Sequence, residues 1–215
     1  DVCSSDLRSQ NYINVFDGAT RFFRGKRMDG NWESPFNPLA VGRAYTEATA
    51  WQYRFFVPHD VNGMIQLFGG KEEFVAALDD IFNTDAEIHG NLVDITGLIG
   101  QYVHGNEPSH HIAYLYNYVG EPWKTQKMSR RLLNEMYHPT PEGIIGNEDC
   151  GQMSAWYILS SMGLYSVCPG SNEYVLTTPL FEKVVVHLAN GRTLTILAND
   201  PQKNIYITKV ELNGK

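Results

Sequence analysis

Several kinds of protein are excluded by what this chain of 215 residues has little of. It holds only three cysteines, too few for a disulfide framework and without metal-ligand spacing. Cys150 and Cys168 read as single buried thiols rather than a pair. No apolar run approaches the roughly 20 residues that a membrane-spanning helix needs. Positive charge is scarce: 17 Lys and Arg against 24 Asp and Glu give a net charge of −7. No basic stripe exists, so nucleic acid is not an expected partner. The chain also lacks a GxSxG elbow, a P-loop and a GxGxxG loop. Serine-hydrolase and phosphate-binding chemistry of those types are thereby excluded. No charged-then-apolar leader opens the sequence. Both ends read as cuts, and the expectation is a piece of a longer protein.

What is present describes a folded chain. Apolar residues make up 43% and charged residues 19%, outside the regime of disorder. Aromatics reach 12%, with four Trp and 12 Tyr, which suits sugar binding and suits a plain aromatic core equally.

The first forty residues lack periodicity and read as a packed loop region, punctuated by Gly18, Gly25, Gly30, Pro35 and Pro38. Residues 43–57 carry Ala44, Ala48, Trp51 and Phe55 at helical spacing, and Pro58 ends that run. Residues 71–84 form an amphipathic stripe through Phe74, Val75, Leu78, Ile81 and Phe82. Residues 105–120 read as a loop running into a helix, with Pro108 in the first turn. A further helix is expected at 122–137, with Thr125 as N-cap and Met128, Leu132, Leu133 and Met136 buried. Residues 153–165 are nearly apolar all round and predict a buried helix ending near Gly163. The pattern then turns β-branched at 184–188, 193–198 and 205–212, and the first pair reads as a hairpin across Asn190-Gly191. The fold class is therefore mainly α, followed by antiparallel β-strands.

Three polar loops stand beside helix ends. One carries Glu47, a second carries Glu107, His110 and His111, and a third carries Glu148 and Asp149. Paired carboxylates among amides and aromatics fit glycoside hydrolysis: one carboxyl protonates the leaving oxygen, and an ionised one activates water or attacks. Such oxygen-rich loops also suit a hard cation such as calcium. Structural roles stay open for each. Glu47 and Glu107 stand where a helix dipole favours a carboxylate, and Asp149 where an N-cap is expected. Glu148 and Asp149 repel unless solvated or metal-bound. His110 and His111, as neighbours on a helix, point about 100° apart and do not share an ion. One reads as a donor to a sugar hydroxyl and the other as packing. Asp60 reads as a turn residue that caps the next helix.

At these loops the chain resembles the family 92 glycoside hydrolases, calcium-dependent exo-acting α-mannosidases. The resemblance rests on NYINVFD (11–17), RGKRMDGNW (24–32), YTEATAWQYRFFVPHD (45–60), GNEPSHHIAYLYNYVGEPWKTQ (105–126) and GNEDCGQMSAWYILSSMGLYSVCPGS (146–171). It covers residues 8–215. Residues 1–7 do not fit and are expected to be a non-native segment. The resemblance implies that 8–171 form the C-terminal part of an (α/α)6 barrel and 172–215 a β-strand segment. The missing N-terminal part of the parent would be a partner.

It further implies an inverting mechanism, with Glu47 as general acid and Asp149 as base. Glu107 would be a sugar or calcium-shell contact, and the roles of Glu47 and Glu107 are exchangeable. Trp51, Asn106, His110, His111, Asn147, Glu148 and Gln152 would bind a mannose-containing glycan. Calcium is the implied cofactor, with no ligands assigned, and a periplasmic or secreted bacterial setting is implied. Three positions depart from the family pattern. Asn147 replaces a common Asp, Asn106 replaces the His of many α-1,2-specific members, and Thr49 replaces an Asn. A non-catalytic mannose-binding fragment is the alternative. Another (α/α)6 hydrolase of glucoamylase type shares the chemistry but not the GNEPSHH and GNEDCGQMSAWY blocks.

Overall fold

The computed structural model describes residues 2–42, 44–90 and 95–215. Two compact units emerge. The first comprises Asp1–Ile112 with Ile145–Asn147, and the second Ala113–Ile144 with Glu148–Lys215.

The first unit begins with α1 (Val2–Ser9) and a 3-10 turn (Asn11–Val15), then a short antiparallel pair, β1 (Phe16–Asp17) with β2 (Phe22–Phe23). The helix expected over 43–57 is cut down to α2 (Ala50–Tyr53), and Arg43 lies outside the described residues. The cause is local. Ala48 has φ +54, in the left-handed region, and Thr49 is extended, so no helix can run through them. Thr49 and Gln52 form a reciprocal capping box that starts the helix at Ala50. Asp60 does cap α3 (Val61–Leu67), its carboxylate accepting from the Gly63 N–H at 2.8 Å.

α4 (Lys71–Asn83) follows the predicted stripe and buries Phe74, Leu78, Ile81 and Phe82. Phe68 stacks on Phe55 at 5.5 Å and meets Phe74 edge-on at 5.2 Å, which forms an aromatic core. Arg54 is buried above this core and pairs with Asp80 at 3.1 Å. Then β3 (Leu98–Ile99) and β4 (Tyr102–Val103) form a two-residue hairpin through Gly100 and Gln101. Gly100 has φ +58, and a Cβ there would lie 2.6 Å from the Ile81 carbonyl oxygen, so only glycine fits. The 105–120 region is helical as expected, but as 3-10 turns at Glu107–Ser109 and Ile112–Val119.

In the second unit, α5 (Pro122–Glu135) starts at N-cap Glu121 with Pro122 at its first position. Thr125 is therefore not the cap but a buried residue inside the helix, and Met128 is only half-buried. α6 (Gln152–Ser161) is one-sided rather than buried all round. Met153, Trp156 and Ser160 face inward, whereas Ile158 is 55% exposed. Gly163 follows its C-cap with φ +83. Tyr114 stacks on Tyr165 at 4.0 Å. β5 (Leu164–Tyr165) pairs with β6 (Val175–Leu176), and β7 (Lys183–His187) with β8 (Thr193–Leu197), all antiparallel.

The expected strand at 205–212 does not form. Two of its backbone groups bond side chains instead of a ladder. The Ile207 N–H donates to Gln126 Oε1 at 2.9 Å, and the Thr178 hydroxyl donates to the Ile205 carbonyl at 2.6 Å. Cys150 is exposed and Cys168 half-buried, both free, so neither is the buried thiol expected. The architecture is mixed, helices with small antiparallel sheets. Among the described residues, no helix is long and apolar enough to cross a membrane.

Candidate active site

Glu47 is half-buried on the irregular segment just before α2. The phenol of Tyr53 stands beside it. Burial raises that phenol above its ordinary value, and the Glu47 charge adds to the rise. Tyr53 also stacks on Tyr45 at 5.6 Å. These two rings help line a cleft of about 370 Å³, together with Arg24, Lys26 and Phe56. The sequence reading did not single out these wall residues. Their signal was the flanking of Glu47 by Tyr45 and Tyr53. A larger cleft of about 590 Å³, walled by Phe82, Asp85, Glu87, Ile88, Ile95 and Leu98 among others, holds none of the candidate residues.

Trp51 lies on α2, buried against Phe22 at 5.1 Å, with the Arg54 guanidinium 5.0 Å from its ring centre. Its indole Nε1 is buried without a partner. α2 packs against the 3-10 turn Glu107–Ser109. Glu107 is half-buried at the start of that turn, and Asn106 precedes it as N-cap. Asn106 is 2% exposed, and both Oδ1 and Nδ2 lack any hydrogen-bond partner. A buried amide left unsatisfied costs about 1–3 kcal/mol, so a polar group that reaches it is rewarded.

His110 and His111 are both buried, and each ring Nε2 meets a main-chain carbonyl. His110 meets that of His104 at 2.8 Å, and His111 that of Phe55 at 2.7 Å. Burial lowers His111 to about 4, against the opposing pull of the Phe55 carbonyl. Burial, and then the neighbouring His110, lowers His104 to about 3. Burial thus favours the neutral form of the His104 and His111 rings.

Within the first unit, the two GNE blocks begin side by side. A Cβ on Gly105 would lie 2.0 Å from the Thr96 hydroxyl, and one on Gly146 would lie 2.6 Å from that same atom. Asn106 and Asn147 each follow one of these glycines, and Asn147 is exposed.

In the second unit, Glu148, Asp149 and Gln152 are exposed at the start of α6. Gly151 is the N-cap of α6, and the side chain that meets free N–H groups at this helix start is that of Glu148 rather than Asp149. The Glu148 carboxylate accepts from the Gly151 N–H and from the Ser154 N–H at 3.2 Å. The bonds from Ser154 chiefly hold Glu148 below the usual carboxylate range. Asp149, Cys150 and Gly151 all have positive φ, at 52°, 55° and 101°. Two consecutive non-glycine residues in this region persist only where their surroundings over-determine them. The Asp149 side chain is left unused by the cap. Among the described residues, no group of three or more His, Cys, Asp or Glu could hold a metal ion.

Residues 6–215 match the family model for the glycosyl hydrolase family 92 catalytic domain. The chain belongs to that family. Its fold matches a family GH92 α-mannosidase from Bacteroides thetaiotaomicron, solved in complex with mannoimidazole, at a TM-score of 0.90. That pair is 40% identical over 97% of this chain and 29% of the relative. A family GH92 inverting mannosidase from the same species gives a TM-score of 0.76 at 36% identity, over 90% of this chain and 28% of that one. A secreted glycosidase of Arthroderma benhamiae, itself uncharacterised, is 31% identical over 97% of this chain and 28% of its own length. The GH92 chain thus spans less than a third of the length of these relatives.

Proposed function

We propose that this chain carries catalytic parts of an exo-acting α-mannosidase that removes terminal α-linked mannose from glycans such as N-glycans, with inversion. The observation that carries this reading is the pairing of segments in the first unit. The segment with Glu47 and Trp51 packs on the segment with Asn106 and Glu107, and each brings a buried polar group without a partner. Sugar hydroxyls are donors and acceptors at once, and they complement such groups. Glu47 is the acid that protonates the leaving oxygen. Glu107 contacts the sugar, and the two exchange roles in the nearest variant of this scheme. Asp149, exposed and outside the α6 cap, is the base that activates water. Asn147, Glu148 and Gln152 line its approach. His110 and His111 hold the loop from inside rather than meeting the sugar.

The relatives' names support the substrate class and a secreted setting, and the motif blocks, through their resemblance, carry the reading of an (α/α)6 barrel. Calcium belongs to the reading. The Asn106 Oδ1, buried without a partner, and the Glu107 carboxylate fit a hard cation that takes oxygen ligands. When bound, the ion would polarise sugar hydroxyls and help distort the ring.

The test is mannose release from α-1,2-, α-1,3- and α-1,6-linked mannobiose, with calcium or EDTA, read by NMR for the first anomer formed. Calcium-dependent release of β-mannose, lost in Glu47→Gln and Asp149→Ala, is the expected result. Release that survives both substitutions would overturn it. A second reading follows from the fraction of the relatives' length that is spanned: a mannose-binding piece without turnover. It predicts a melting shift with mannose and calcium and no release.

A further inference from the structure

Two buried rungs join the segment that carries Glu47 to the segment that carries Glu107. Gln52 makes the first. Its Oε1 accepts from the Thr49 N–H at 2.9 Å and from the Thr49 hydroxyl at 2.7 Å. Its Nε2 donates to the Gln101 carbonyl at 2.6 Å. Gln101 is itself pinned, its N–H donating to the Ile81 carbonyl at 2.7 Å and its side-chain amide to the Ala86 carbonyl at 2.8 Å. His111 makes the second rung through its 2.7 Å contact with the Phe55 carbonyl. Gln52, Gln101 and His111 are all buried, so water cannot replace a lost bond.

The first rung acts where the chain is strained. Glu47 precedes Ala48 at φ +54 and the extended Thr49. An alanine stays left-handed only under external constraint. Gln52 supplies that constraint by holding Thr49 at two atoms. The rung also ends one residue from β4, whose chain leads directly to Asn106 and Glu107.

We infer that Gln52 and His111 are positioning residues, which fix the orientation of Glu47 and its spacing from Glu107 without touching the sugar. This rests on the reading of those carboxylates as the working groups. Sequence spacing hides it, because Gln52 and His111 lie on different segments and each bonds a main-chain atom.

The test uses the full chain labelled with [δ-13C]glutamate, with the Glu47 and Glu107 resonances assigned by Glu47→Gln and Glu107→Gln. Gln52→Met is expected to move or broaden the Glu47 resonance while the other glutamates stay in place. The kcat for mannose release is expected to fall about tenfold to a hundredfold, with KM little changed. His111→Phe is expected to do the same to Glu107, and His111→Gln, which keeps a donor, to restore it. If Gln52→Met does not fold, Ala48→Gly loosens the same turn and is expected to broaden the Glu47 signal alone. Unmoved Glu47 and Glu107 resonances in folded variants would overturn the inference. So would a kcat loss that follows only the folded fraction. If the wild-type chain releases no mannose, the functional reading fails by itself and the resonances alone decide this one.

Discussion

Ala48 and Ala50 stand two residues apart, and the same substitution should cost stability at one and little at the other. Ala50 is fully buried in the first turn of α2. Ala50→Gly loses a buried methyl and helix propensity, and is expected to cost about 1–2 kcal/mol. Ala48 is also buried, packed with Ile88, Ile95 and Val103, but sits at φ +54. Ala48→Gly loses the same methyl yet relieves a left-handed strain of about 1–2 kcal/mol. Its stability is expected to stay within about 1 kcal/mol of wild type in urea unfolding. A second expectation concerns His104 and His111. Their folded values, about 3 and about 4, lie below the unfolded value of about 6.5. The unfolded chain therefore binds more protons below pH 6.5. The stability these rings contribute is complete above that value and is lost as the pH falls toward their folded values. At pH 5 the loss is on the order of 2 kcal/mol per ring. Urea midpoints measured at pH 7, 6 and 5 check this, and His111→Gln should flatten the fall.

At the scale of elements, local pattern was enough wherever local forces decide. The stripe through Phe74, Leu78 and Ile81 predicted α4 nearly to its ends, and Asp60 announced the start of α3. The Asn190-Gly191 signal likewise marked the β7–β8 hairpin. The helix expected at 43–57 was not legible as a single turn. Its alanines are good helix formers, and helical spacing reveals neither the left-handed Ala48 nor the Thr49–Gln52 capping box that delays the start to Ala50. The strand expected at 205–212 has suitable residues but pairs with no strand among the described residues, and side chains of α5 and of Thr178 take two of its backbone groups. The candidate carboxylates are proposed from motif order, whereas the burial of His110 and His111 depends on contacts no spacing reveals. Gly100 offers a clean test of the β3–β4 turn. Gly100→Ala must hold a left-handed alanine and push its Cβ away from the Ile81 carbonyl, 2.6 Å off. A cost of about 1–3 kcal/mol from conformation alone is expected, with more from the overlap. A smaller loss in urea unfolding would mean the turn relaxes to another type.

For the whole molecule, the balance of covered and uncovered apolar surface sets behaviour in solution. Leu197, Tyr174, Ile158 and Phe181 are 72%, 60%, 55% and 50% exposed, all in the second unit. The β7–β8 hairpin has only two strands, so each offers an unpaired edge. Two strands are marginal alone, and the half-buried face of Val184, Val186, Leu194 and Ile196 must help hold them. The other face presents Val185 and Leu197 to solvent. Open edges and apolar side chains together favour association of copies. Sedimentation velocity is therefore expected to show oligomers that grow with concentration between micromolar and higher loading. Val185→Lys with Leu197→Lys should reverse this and leave the urea midpoint nearly unchanged, because both side chains already face water. If the double variant associates as wild type does, the hairpin is not the adhesive surface, and the exposed side of α6 around Ile158 becomes the place to substitute next. If it stays monomeric and folded, the second unit tolerates its uncovered face, and the mannose assays can be read on a homogeneous species.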